Sequence, residues 1–173
     1  MNSTTPFSAH DLKTQEERLE LFNEKGDLFI GVPKEDIDIE KRVCLTPDAV
    51  AALVANDHGV IIESGAGQEA SFSDDEYRKA GAKITSIKKE VFECSLILKV
   101  APPSMSEIAL MKPNSTLISA VQKKTQNKEY FKSLELKKIT AIGFEYITDQ
   151  DGSFPILKSL SQIGGTAAIH IAA

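Results

Sequence analysis

A chain of 173 residues with 42% hydrophobic side chains is the size of one domain and carries enough apolar surface to bury a core, which excludes wholesale disorder. Its formal net charge of -5 opposes a nucleic-acid or anionic-membrane surface, and the lysines are spread along the chain rather than gathered into a patch. No apolar run approaches the roughly 20 residues that span a bilayer, and the polar, acidic N-terminus lacks the basic-then-apolar order of a secretory signal, so a cytoplasmic location is expected.

Residues 1–26 read as an N-terminal helical extension: "AHDLKTQEERLELFNEKG" sets Leu12, Leu19 and Phe22 near helical spacing, with Gly26 as the stop. From residue 27 onward, short apolar runs bounded by turn residues alternate with amphipathic helical patterns. "LFIGVP" is a first strand. In "TPDAVAALVAND" Thr46 is an N-cap, Pro47 sits in the first turn and Asp48 complements the helix dipole. A strand "GVIIES", a short capped helix "SDDEYRKAG", and a strand and helix in "KITSIKKEVFE" follow. "CSLILKV" is the third main strand, "SMSEIALMK" a helix begun by Ser104 or Ser106, and "STLISAV" another strand. "NKEYFKSLELKK" is a helix and "ITAIGFE" a strand, and the tail from "LKSLSQIGG" onward is helical and apolar. Strands rich in Ile, Leu and Val, separated by helices, imply parallel pairing: an α/β, doubly wound open sheet with helices on both faces, three-layered and flavodoxin-like or Rossmann-like.

In such sheets ligands sit beyond the carboxyl ends of the strands. Lys99 stands where "LILKVAPP" leaves the sheet, and Pro102 and Pro103 turn the chain away. Taken singly it reads as a lysine reaching to solvent. Arg42, in "EKRVCLTP" between the first strand and its helix, has the same kind of address, and taken singly reads as a surface residue paired with Glu40 or Asp38. Together the two cations would suit a small carboxylate beside a carbonyl, Arg binding the carboxylate bidentately and Lys polarising the oxygen. "SGAGQEASFSD" is a turn and loop rather than a dinucleotide site, because Ala70 stands where GxGxxG has its third glycine. Cys44 and Cys94 have no CxxC or Cys/His spacing and read as free, buried thiols. His10, His58 and His170 lie far apart, which gives no metal cluster.

"GVPKE", "KRVCLTPDAVAAL", "VIIESGAGQEASFSDDEYRKAGAKI", "LILKVAPP" and "EYITDQDGSFPIL" together resemble the N-terminal domain shared by alanine dehydrogenases and the alpha subunit of nicotinamide nucleotide transhydrogenases. The resemblance covers residues from about Phe29 to Ala173. It implies that residues 27–158 are the substrate-side catalytic domain of an oxidoreductase that uses NAD, or NADP, to interconvert L-alanine and pyruvate plus ammonium. Residues 159–173 begin a helix leading to an NAD-binding domain. That domain's GxGxxG segment is not in this sequence, so the chain is expected to be a fragment of a longer enzyme, inactive alone, its cofactor bound mainly by the missing domain. The resemblance further implies a small 2-oxo or 2-amino acid as partner and homo-oligomerisation of the full-length enzyme, without nucleic-acid binding or membrane insertion.

Residue by residue, the resemblance puts Arg42 on the substrate carboxylate, Lys99 on its carbonyl and Ser161 on the nicotinamide side of the cleft. Where alanine dehydrogenases carry the histidine that exchanges a proton with substrate, "ISAVQKKTQN" offers Gln122, so Lys99 and Gln122 occupy the catalytic positions. Glutamine hydrogen-bonds a carbonyl but does not exchange protons near neutral pH. That departure leaves open a transhydrogenase alpha-type subunit, which also lacks the histidine, and a small-acid binding or oligomerisation module without catalysis. Replacing Lys99 by Met is expected to abolish turnover with the fold intact.

Overall fold

A computed structural model describes residues 28–172. The helix expected within residues 1–26 lies outside the described residues. Strands β1 (Phe29–Val32), β2 (Gly59–Glu63), β3 (Lys83–Thr85), β4 (Leu96–Leu98), β5 (Thr116–Ser119) and β6 (Thr140–Gly143) form one sheet, ordered β3-β2-β1-β4-β5-β6, with every neighbouring pair parallel. The helices are α1 (Pro47–Ala55), α2 (Asp74–Lys79), α3 (Lys88–Phe92), α4 (Met105–Leu110), α5 (Lys128–Leu136) and α6 (Pro155–Ala172). The order in which strands are added reverses between β1 and β4, the switch point at which doubly wound folds open a crevice.

Local chemistry sets the helix starts. Thr46 caps α1, its hydroxyl accepting from the Ala49 N–H, with Pro47 in the first turn. Ser73 with Glu76, and Ser104 with Glu107, form reciprocal capping boxes at α2 and α4, and Asn127 caps α5 through the Tyr130 N–H. Of the two serines considered for α4, Ser104 is the cap.

Alternating side chains of the central strands feed two cores. Ile30, Val32, Val60 and Ile62 face α1 and α2, where Val50 and Tyr77 are fully buried. Ile61, Ile97 and Leu117 face α3, α4 and α5, meeting Phe92, Ile108 and Leu134. Gly31 lies between Ile30 and Val32 and faces α3. A Cβ there would collide with the Val91 carbonyl oxygen, so the glycine lets the short helix lie against the strand. Expected coverage of both sheet faces fails at one edge: Thr140, Ala141 and Ile142 of β6 are exposed. The exposed apolar residues Ile147, Phe154 and Leu157 follow it. Cys94 is buried and Cys44 half-buried, both unpaired. No described helix is long and apolar enough to cross a membrane.

Candidate functional site

The β1 and β4 carboxyl ends open into a cleft of about 780 Å³, within the range of roughly 300–1,000 Å³ usual for small-molecule sites. Its floor is an ion pair. Lys99 leaves β4 with a side chain only 3% exposed, and its Nζ lies 2.5 Å from Glu35 Oε2, at the end of β1. The other Glu35 oxygen accepts the Val100 N–H at 2.6 Å. The lysine therefore does not reach solvent as its single-residue reading had it. It is clamped between two neighbouring strands at the switch point.

Arg42 stands at the rim, 53% exposed. Its Nε and Nη2 donate to the two oxygens of Glu40 at 2.8 and 2.6 Å, and its backbone N–H also donates to Glu40. The pairing read for a lone surface arginine is thus present, and it shows the guanidinium fork seating a carboxylate side-on. That contact outweighs partial burial and holds the Glu40 carboxyl below the ordinary value.

Gln122 lines the same cleft from the end of β5. Its φ of 50° is left-handed, uncommon for a residue with a Cβ. One carboxylate holds that turn: Glu145, in the helical turn after β6, accepts the Gln122 N–H at 2.6 Å and the Val121 N–H at 3.2 Å. Successive backbone N–H groups around a left-handed residue form an anion-binding nest, here filled by the protein's own side chain. Ser161, by contrast, is exposed on α6 and is not part of the cleft wall. Three of the four residues singled out in the sequence therefore converge, and the fourth stands apart.

The structure adds residues that sequence reading missed. Lys88 opens α3 and Glu107 sits in the first turn of α4, and their ion pair, 2.9 Å, forms another wall. Glu107 Oε2 also lies 3.9 Å from Lys99 Nζ. Burial pushes the Glu107 carboxyl up, but Lys88, the Ser104 N–H and Lys99 more than offset it, so the group stays ionised at neutral pH. Tyr130 also lines the cleft, and burial pushes its phenol up to about 12, aided by Glu145 and Glu107, so it remains protonated. No histidine lines the cleft among the described residues.

The glycine loop after β2 does not form a phosphate cradle. The Gly65 N–H is taken by Asp74 at 2.8 Å, and a Cβ at Gly67 would strike the Tyr77 ring. This loop packs against its own helix.

Comparison with known proteins fits this geometry. Residues 31–164 match the family described as alanine dehydrogenase/PNT, N-terminal domain. The chain belongs to that family. An alanine dehydrogenase from Methanococcus maripaludis is 40% identical over 147 residues, covering 84% of this chain and 39% of that protein. One from Bacillus subtilis is 33% identical over 146 residues, covering 84% and 38%. The chain thus spans about two-fifths of the length of these relatives. Among solved structures, an L-alanine dehydrogenase superposes with a TM-score of 0.79 at 33% identity, over 83% of this chain and 40% of that one. A transhydrogenase from Sinorhizobium meliloti gives 0.64 at 27% identity, over 69% and 35%. The α/β architecture read from the sequence is that of the AlaDH/PNT N-terminal domain.

Proposed function

We propose that the cleft between β1 and β4 binds a small 2-oxo or 2-amino acid. In the full-length protein it would be the substrate side of an NAD(P)-dependent alanine dehydrogenase-type oxidoreductase, interconverting L-alanine and pyruvate plus ammonium. The observation that carries this reading is convergence. Arg42, Lys99 and Gln122 come from the segments that follow three strands, β1, β4 and β5, and line one cleft at the switch point, in a chain whose relatives include alanine dehydrogenases.

Each side chain has a task in this reading. Arg42 exchanges Glu40 for the substrate carboxylate, keeping the same two-point geometry. Lys99 supplies fixed positive charge at the floor, where a developing negative charge on the substrate oxygen is stabilised. Gln122 hydrogen-bonds the carbonyl oxygen and fixes its direction, without moving a proton.

Removing hydride from an amino acid requires an acceptor, and a nicotinamide cofactor, NAD or NADP, is proposed for it. The described residues do not fit its pyrophosphate, since the glycine loop is occupied by Asp74 and Tyr77. This chain's own work is to bind, orient and polarise the acid. Ser161, exposed on α6, is proposed as a contact on the nicotinamide side. A cytoplasmic location and self-association of the full-length protein complete the proposal.

A second reading, the NAD-binding alpha-type subunit of a transhydrogenase, is favoured by Gln122 at the place where the resemblance expects the proton-exchanging histidine. The test is NADH oxidation by the full-length protein with pyruvate and ammonium. Turnover that falls at least 100-fold in Arg42→Leu supports the dehydrogenase. Absence of turnover, with hydride passing to an NADP analogue once a partner subunit is added, supports the transhydrogenase instead.

A further inference from the structure

Tyr130 lines the cleft without a task in the reading above. The residue is 3% exposed, and its ring is held in place. It belongs to the core shared with α4 and α5, with Ile108, Met111 and Leu134, and stands edge-on to Phe131 with the ring centres 5.3 Å apart. Its backbone N–H donates to the Asn127 cap, which fixes the helix start that carries it.

The hydroxyl on that ring is buried and has no hydrogen-bond partner among the described residues. Ser115 and Ser119 have buried hydroxyls in the same state, but neither lines the cleft. The fold treats its other buried tyrosine differently: the Tyr77 hydroxyl donates to the Leu45 carbonyl at 2.7 Å. The carboxylates that bear on the Tyr130 phenol are already engaged. Glu145 accepts the Val121 and Gln122 N–H groups, and Glu107 holds Lys88 and the Ser104 N–H. A buried hydroxyl left unpaired costs about 1–3 kcal/mol, and phenylalanine would fill the same space without it. Packing therefore does not explain the oxygen, and the cleft is where a partner can enter.

Burial, with Glu145 and Glu107 adding to it, keeps the phenol protonated at neutral pH, so it offers one donor and free lone pairs. An ammonium such as that of Lys99 offers donors alone. A hydroxyl can serve both members of a 2-oxo and 2-amino acid pair, by donating to one and accepting from the other. We propose that the Tyr130 hydroxyl contacts the 2-substituent of the bound acid, donating to the oxygen of a 2-oxo acid and accepting from the ammonium of a 2-amino acid. Lys99 and Gln122 keep their contacts with the substrate oxygen, and Tyr130 adds a neutral one that moves no proton. This deepens, and rests on, the reading of the cleft as a small-acid site.

The test compares pyruvate and L-alanine with propionate, which has the same carbon count and carboxylate but no 2-substituent. Binding is measured by calorimetry on the full-length protein with saturating NADH and no ammonium, so that none of the three acids turns over, for the wild type and Tyr130→Phe. The expected result is a loss of about fivefold or more for pyruvate and for L-alanine, the size of one neutral hydrogen bond, with propionate within about twofold. The unfolding midpoint without acid should equal that of the wild type or exceed it, because no contact within the protein is lost. Pyruvate or L-alanine affinity within about twofold of wild type in Tyr130→Phe would overturn the proposal. An equal loss for propionate would also overturn it, by moving the hydroxyl to the carboxylate, and so would a lowered midpoint, by showing that the hydroxyl is bonded within the protein. A wild type that binds none of the three acids contradicts the small-acid reading beneath it, an outcome distinct from failure of Tyr130 alone.

Discussion

Replacing Lys99 by Met tests the floor of the cleft. The two side chains of the Lys99–Glu35 pair are 3% and 6% exposed, and among the described residues the other donor to Glu35 is the Val100 N–H. Met fills the volume of the lysine stem but leaves a carboxylate in the core without its cation. Removing one partner of such a pair costs about 3–5 kcal/mol, a large part of the roughly 5–15 kcal/mol that holds a domain together. For a chain of this length the melting temperature should fall by about 10 °C. The fold is therefore not expected to be indifferent to the change, although the family resemblance casts Lys99 as a ligand contact whose loss would leave the fold intact. The assay is urea unfolding followed by circular dichroism. A second substitution, Glu35→Gln, keeps an oxygen for the Val100 N–H while removing the charge, so Lys99→Met with Glu35→Gln should recover more than half of the loss. If Lys99→Met alone stays within about 1 kcal/mol of wild type, the pair is not sealed from water and the reasoning about the floor is wrong.

Other consequences are open to direct measurement. Gly31→Ala should destabilise the protein by about 1–3 kcal/mol, the usual cost of overpacking, because the new methyl meets the Val91 carbonyl; an unfolding midpoint equal to wild type would contradict the close approach of α3. Burial pushes the Cys44 and Cys94 thiols up to about 12, so both should react with a thiol reagent at pH 8 more than about 100-fold more slowly than free cysteine, and faster labelling of either would show that its surroundings do not raise it. Asp74 is pushed up by burial but pulled further down by the Ser64 hydroxyl and the Gly65 N–H, and Glu107 is also depressed. The unfolded state therefore binds protons that these groups refuse when folded. Their contribution is present above the ordinary values of 3.8 and 4.5 and is lost as pH falls through the lower folded values. Stability should be level near neutrality and fall below about pH 4.5, and stability that rose on acidification would refute the assignment.

The strands and helices were legible because their signals are local. Apolar runs bounded by turn residues gave β1, β2, β4 and β5, and the Thr46 cap and the capped segment "SDDEYRKAG" gave two helix starts. The strand order was not local information. Nothing in "GVPKE" says that Glu35 will lie beside a lysine 64 positions later, because that depends on β1 pairing with β4 rather than β3. The same topology brings Lys88 to a cleft whose other walls follow β1, β4 and β5, and Glu145 to the nest at Gln122. One clue was available: Glu35 directly follows a strand and its proline, and an acid at the end of a central strand invites a search for a cation at the end of its neighbour. The exposure of β6 went unread for another reason. Its sequence, "TAIG", is as apolar as a covered strand, and the described residues leave that edge open.

The most direct test of the central claim is a titration of pyruvate into isotope-labelled full-length protein, followed through its amide and side-chain resonances. If the cleft between β1 and β4 is the substrate site, the largest shifts fall on Arg42, Lys99, Val100 and Gln122, and Arg42→Leu abolishes them. Shifts gathered instead at the loop from Ser64 to Gly67, or at the exposed β6 edge with the cleft resonances unmoved, would place the ligand elsewhere and contradict the site described here.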